Sequence, residues 1–103
     1  MVNASNSMTR KESVRLHRSE ILSVARQYGA TSLKIFGSVL RGDEKDSSDV
    51  DFLVEMEPSR SLLDLGGLQF ELQKLLGCRV DVVTEKGLHW FIRDRILQEA
   101  VAL

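Results

Sequence analysis

Apolar residues recur along this chain with two different periods, and the switches between them lay out the elements. From Ser13 the pattern is helical: Val14, His17, Ile21, Val24, Ala25 and Tyr28 fall at three- and four-residue steps. Arg15, Arg18, Glu20 and Arg26 fill much of the other side. Gly29 stands where a left-handed residue would end that helix. Leu33-Lys34-Ile35-Phe36 reads as a short strand running into Gly37-Ser38, and Val39 to Arg41 as a helical turn. Asp43 to Ser48 is a charged, solvated loop, Val50 to Glu55 a second strand, and Pro58 a break. Ser61, with Asp64 three residues on, carries a helix-start signal. Leu65, Leu68, Leu72, Leu75 and Leu76 then form a stripe that reads as core, despite Gly66-Gly67, and Gly77 is a natural stop. Arg79 to Thr84 alternates as a third strand, with Val80 and Val82 on one face and Arg79, Asp81 and Val83 on the other. After Lys86-Gly87 a last helix is expected to turn Leu88, Phe91, Ile92, Ile96 and Ala100 inward. Trp90 fits either of two roles, closing the core or anchoring a partner.

The order helix, strand, strand, helix, strand, helix implies an α/β (α+β) domain, a small mixed sheet flanked by helices. At 103 residues there is room for one such domain, expected over residues 12–103, with residues 1–11 as a polar, disordered tail. No apolar run approaches the roughly 20 residues of a membrane span. The N-terminus lacks the apolar stretch of a secretory signal. The single cysteine, Cys78, cannot form an internal disulfide, which fits a reducing cytoplasm, and reads as a small packed residue. With His17 and His89 as the only histidines, an ordinary zinc site is not indicated. A net charge of −1 excludes the basic balance of a general nucleic-acid binder, so no direct nucleic-acid partner is expected.

The chemistry concentrates in one stretch. Gly37-Ser38 closes the first strand, and after ten residues Asp49-Val50-Asp51 opens the second. Alternation places Asp49 and Asp51 on one face and Val50 and Phe52 on the other. Two carboxylates on one face repel unless a cation stands between them. A divalent metal is the simplest such cation, and a Gly-Ser turn beside it is a place to hold phosphates. Gly37, without a Cβ, lets backbone approach a triphosphate closely. Ser38 offers a hydroxyl and an amide, and Arg41 either forks onto a phosphate or makes a surface ion pair with Asp43 or Glu44. Asp81, alone in a valine-rich strand, is poorly explained by packing.

Gly37-Ser38, the spacer with Arg41-Gly42 and Ser48, and Asp49-Val50-Asp51 resemble the signature of the nucleotidyltransferase superfamily, polymerase-beta-like in fold. The small size is similar to its minimal nucleotidyltransferases, the antitoxin partners of HEPN toxins. The resemblance implies a two-metal site held by Asp49, Asp51 and Asp81, with Asp81 completing the metal that activates the acceptor. It implies two Mg²⁺ ions, replaceable by Mn²⁺, and a nucleoside triphosphate, ATP, held by Gly37, Ser38 and Arg41. It further implies transfer of AMP to a tyrosine hydroxyl of a cognate HEPN ribonuclease toxin, whose RNA binding the added charge would block. The alternative is an antitoxin without catalysis that neutralises its toxin by stoichiometric binding. Transfer to a small molecule, as in antibiotic-modifying relatives, is disfavoured by the lack of room for a second domain.

Overall fold

Thr9 caps the first helix: its hydroxyl accepts from the Glu12 amide at 3.0 Å, and Glu12 accepts from the Thr9 amide at 2.9 Å. This reciprocal box satisfies two amides that a helix start would otherwise leave open. The computed structural model describes residues 8–42 and 49–103. Helix α1 (Arg10–Leu16) therefore includes Arg10 and Lys11, which were expected in the tail. Residues 1–7 of that tail, and the expected loop from Asp43 to Ser48, lie outside the described residues.

The single helix expected from Ser13 to Tyr28 is two. Helix α2 (Arg18–Gln27) follows α1 across His17, whose φ of −96° and ψ of 17° leave the helical region. The His17 ring Nδ1–H donates to the Ser13 carbonyl at 2.8 Å, the same oxygen that accepts the His17 amide at 3.0 Å. Side chain and backbone thus share one acceptor at the bend. Gly29, at a φ of 90°, then turns the chain into strand β1 (Ala30–Phe36). A single turn, α3 (Ser38–Arg41), leads away from it. Strand β2 (Val50–Met56), helix α4 (Leu62–Leu76), strand β3 (Val80–Thr84), a short 3₁₀ turn (Glu85–Gly87), helix α5 (Trp90–Glu99) and strand β4 (Val101–Ala102) follow.

The four strands form a mixed sheet in the order β3-β2-β1-β4, as the α/β reading expected. Strand β1 runs antiparallel to β2 and β4, while β2 and β3 are parallel, joined through α4. One sheet face presents Leu33, Ile35, Val50, Phe52, Val54, Val80 and Val82 to Ile21 and Ala25 of α2 and Leu68 and Leu72 of α4. Each large apolar side chain fully buried here contributes about 1.5–3 kcal/mol. Helix α4 begins with the expected Ser61–Asp64 capping box and ends at left-handed Gly77. Its Gln73 and Gln69 accept from the Val80 and Val82 amides, each at 3.1 Å. Those amides point away from β2, along the outer edge of the sheet. Four helical residues advance about 6 Å and two strand residues about 6.6 Å, so glutamines four apart match amides two apart.

Helix α5 packs on part of the second face, with Phe36 and Leu53 against Leu88 and Ile96. Leu88 and Ile96 point inward as expected, but Phe91 is 75% exposed and Ile92 40% exposed. The orientation of α5 is set at both ends, by buried Leu88 before it and by β4 after it, and this turns Phe91 outward. Trp90 is also exposed, stacked on His89 and edge-on to Phe91, so it does not close the core. Among the described residues no helix is long and apolar enough to cross a membrane.

The two central glycines of α4 differ in surroundings. A Cβ on Gly67 would stand 2.6 Å from Tyr28 Cε1, whereas one on Gly66 would meet nothing within 4 Å. Gly66→Ala is therefore expected to stabilise the fold by about 0.5–1 kcal/mol through lost chain entropy in the unfolded state. Gly67→Ala should destabilise it by about 1–3 kcal/mol through overpacking against α2. Urea denaturation midpoints check both, and a stabilised Gly67→Ala would contradict the packing of Tyr28 over α4.

Candidate active site

The register of the sheet decides which polar side chains meet. Asp51 pairs with Phe36 on β1 and with Asp81 on β3. Even-numbered β2 positions Val50 and Phe52 are buried in the core, so Asp51 is turned to the opposite face with Asp81 beside it. Asp49 lies one residue before β2 and pairs with Arg79, Nε to Oδ1 at 3.5 Å. The register thus places Asp51 and Asp81 together on one face, while Asp49, expected beside Asp51 by alternation, stands one residue before the strand.

Gly37 follows Phe36 directly and so stands next to Asp51. Its φ of 86° and ψ of −163° are open to glycine and strained for other residues. A Cβ there would also collide with Asp51 Oδ2. Two separate constraints therefore require glycine. Ser38 opens α3, and the turn is closed by the Arg41 amide donating to the Gly37 carbonyl at 3.1 Å and the Gly42 amide to the Ser38 carbonyl at 3.0 Å. Val39, fully buried, pins the turn to the core. Arg41 ends it and donates from Nη1 to Glu99 Oε1 at 2.6 Å, across 58 residues of sequence. The residues expected to pair with it, Asp43 and Glu44, lie outside the described residues.

The electrostatics of the cluster are unfavourable as it stands. The Asp51 carboxyl is pushed up to about 6, first by partial burial, then by the Asp81 and Asp49 carboxylates. Arg41 opposes the rise and Glu99 adds to it. Among the described residues no three acidic, histidine or cysteine side chains already stand close enough to hold one ion. Hard oxygen donors raised in this way by burial and by one another's charge fit a divalent cation drawn between them.

A cavity of about 580 Å³ opens further along the same sheet face, lined by Ser32, Lys34, Glu55 and Lys86 among others. The packed Phe36, Leu53, Leu88 and Ile96 cluster sits between it and Asp51, so it is not part of this site. Two site contacts escaped sequence reasoning, Asp49 with Arg79 and Arg41 with Glu99. The first had a weak signal, an arginine opening the strand that carries Asp81; the second had none.

Residues 18–103 match the nucleotidyltransferase domain family. A Methanocaldococcus jannaschii protein, provisionally named a protein adenylyltransferase, is 43% identical over 84 residues, which span 82% of this chain and 90% of the relative. The protein adenylyltransferase MntA of Thermococcus cleftensis is 39% identical over 85 residues, 82% of this chain and 83% of that one. A solved structure provisionally named a minimal nucleotidyltransferase superposes with a TM-score of 0.84 at 42% identity, covering 94% of this chain and 99% of the other. A toxin–antitoxin crystal structure with AMP-PNP shares the fold, with a TM-score of 0.70 at 19% identity over 82% of this chain and 69% of the other.

The raised Asp51 value links the site to stability. The native state holds this proton more tightly than the unfolded chain. The resulting stability is fully present below 3.8 and is lost as pH rises through about 6. In chelator, wild-type stability should therefore fall across that window, by on the order of 1 kcal/mol once solvent screening at a half-exposed site is allowed for. Asp51→Asn should flatten the slope and melt higher than wild type at pH 7.5. A variant less stable than wild type there would refute the repulsion.

Proposed function

The chain belongs to the nucleotidyltransferase domain family, and from that premise we propose that it is a magnesium-dependent protein adenylyltransferase. In this reading it transfers AMP from ATP to a tyrosine hydroxyl of a HEPN toxin in the cytoplasm and thereby acts as the antitoxin. The observation that carries the reading is the register that sets Asp51 beside Asp81, with Asp49 at the strand entry and the Gly37 turn against Asp51. Two relatives bearing the adenylyltransferase name support the activity. A shared fold with a toxin–antitoxin component supports the setting.

Asp49, Asp51 and Asp81 would hold the ions. Bound there, Mg²⁺ would neutralise charge on the α-phosphate and on the departing pyrophosphate. The tyrosine oxygen attacks the α-phosphorus, the bond from that phosphorus to the bridging oxygen of the β-phosphate breaks, and pyrophosphate leaves with the electron pair. Asp81, exposed on the edge strand, takes the phenolic proton. The Gly37 turn lets the triphosphate approach the backbone, Ser38 donates to its outer phosphates, and Arg41 pairs with them through its guanidinium. AMP on the toxin adds a phosphate charge where RNA would bind, and like charges repel.

The test is label transfer from α-³²P-ATP, with Mg²⁺, onto a HEPN toxin encoded beside this chain. Wild type should label the toxin. Asp49→Ala and Asp51→Ala should reduce transfer by more than the roughly 10–100-fold typical of outer-shell changes at metal sites. Undiminished labelling by both variants would falsify the catalytic reading. Equal neutralisation of the toxin by wild type and Asp49→Ala, without label in either, would instead establish stoichiometric binding.

A further inference from the structure

Trp90 and Phe91 stand 73% and 75% exposed at the start of α5, and the core makes no use of them. A single exposed apolar side chain is ordinary, but two adjacent aromatic rings make a patch. The rings hold one another in place. His89 stacks on Trp90 with centroids 5.6 Å apart, and Phe91 meets Trp90 edge-on at 5.7 Å. The backbone beneath them is fixed as well. His89 Nδ1 caps the helix by accepting from the Phe91 amide at 3.1 Å, and Arg93 Nη2 donates to the Leu88 carbonyl at 3.3 Å. Leu88 itself is buried against Phe36 and Leu53. Aromatic surface on a helix end ordered in this way costs little conformational entropy to bind with, and tryptophan is among the residues that dominate interfaces.

The place of α5 says what such a surface can meet. The helix lies on the sheet face that carries Asp51 and Asp81, and its last residue, Glu99, touches Arg41 of the turn that begins at Gly37. From Trp90 and Phe91 the exposed residues Asp94, Arg95 and Gln98 continue along the outer side of the helix toward that end. Ten residues of helix span about 15 Å. The two rings supply on the order of 300 Å². A stable protein interface takes about 800 Å² of each partner, a patch roughly 30 Å across. The rings can therefore be only one part of a larger contact, and a contact of that width laid along α5 reaches the acidic site. A second copy of this chain seated there would cover the approach that a protein acceptor needs. The exposed Leu62 and Leu63 lie elsewhere, on α4, which packs on the opposite sheet face.

We propose that the outer face of α5, led by Trp90 and Phe91, is the docking surface for the protein that accepts AMP. The partner it fits presents an apolar groove for the two rings, on the order of one α5 length from the hydroxyl that enters the Asp51 site. This rests on the adenylyltransferase reading and adds to it a surface separate from the reacting groups.

The experiment compares the full chain as wild type, as Trp90→Ala, as Trp90→Ala combined with Phe91→Ala, and as Leu63→Ala, an equally exposed control on α4. The probe is the HEPN toxin encoded beside this chain. Calorimetry measures its binding, and label transfer gives KM for the toxin, KM for ATP and kcat separately. Exposed side chains are replaced throughout, so melting temperatures should stay close to wild type and report any folding defect. The double variant is expected to bind the toxin roughly tenfold to hundredfold more weakly, with Trp90→Ala alone giving much of that loss. KM for the toxin should rise in step while KM for ATP stays as it was, and Leu63→Ala should bind as wild type does. Unchanged toxin binding by the double variant overturns the proposal, and so does an equal loss in Leu63→Ala. A wild-type dimer that the double variant dissociates overturns it in favour of a second copy. Wild type that binds the toxin but transfers no AMP defeats the transferase reading alone, and the calorimetric comparison still decides the role of the α5 surface.

Discussion

Two carboxylates held side by side by backbone register are the constraint around which this molecule is arranged. Asp51 and Asp81 face each other across β2 and β3 because the parallel pairing aligns Val50 with Val80 and Phe52 with Val82. Those four valine and phenylalanine positions are buried on the helix-covered face. Slipping either strand by one residue to relieve the aspartates would turn buried side chains out to water. The apolar face thus enforces the polar one, and burial energy that is large and distributed overrides a repulsion that is local.

The same arrangement explains the neighbourhood. Gly37 lies against the Asp51 carboxylate where no side chain would fit, and fully buried Val39 holds the following turn in place. Among the described residues helix α5 covers the hydrophobic half of the second face and not the acidic half. Among the described residues the site lies where helix coverage of the sheet ends, bordered by the backbone of the Gly37 turn. Its charge balance depends on groups from four elements, Asp49 and Asp51 at β2, Asp81 on β3, Arg41 after β1 and Glu99 from α5.

Much of this was legible in the chain itself, where local signals and periodicity coincide. Ser61 with Asp64, the leucine stripe and Gly77 delimit α4 because caps and amphipathic spacing are local properties. Asp81 stood out because an aspartate among valines has no packing rationale, and the register places it beside Asp51. The failures share a long-range cause. Strand β4 is two residues long and leaves no alternation, yet it orients α5 and so turns Phe91 to solvent. The break at His17 depends on a ring nitrogen finding a carbonyl four residues back. Glu99 is separated from Arg41 by 58 positions, and only the closing of β4 onto β1 brings them together. The Thr9–Glu12 box was a readable signal in a segment whose polar composition concealed it.

Gln69 and Gln73 bear on how this protein meets other chains. An edge strand ordinarily offers a row of bare amides, and extended segments join sheets by adding to such rows. Here α4 reaches round and occupies the outward amides of Val80 and Val82 from within the same molecule. The sheet is sealed along that border, so it neither seeds strand-by-strand polymerisation there nor takes in a partner's extended peptide without first displacing its own glutamines. Association at that border must use side-chain shape and charge, which discriminate between partners far better than backbone pairing does.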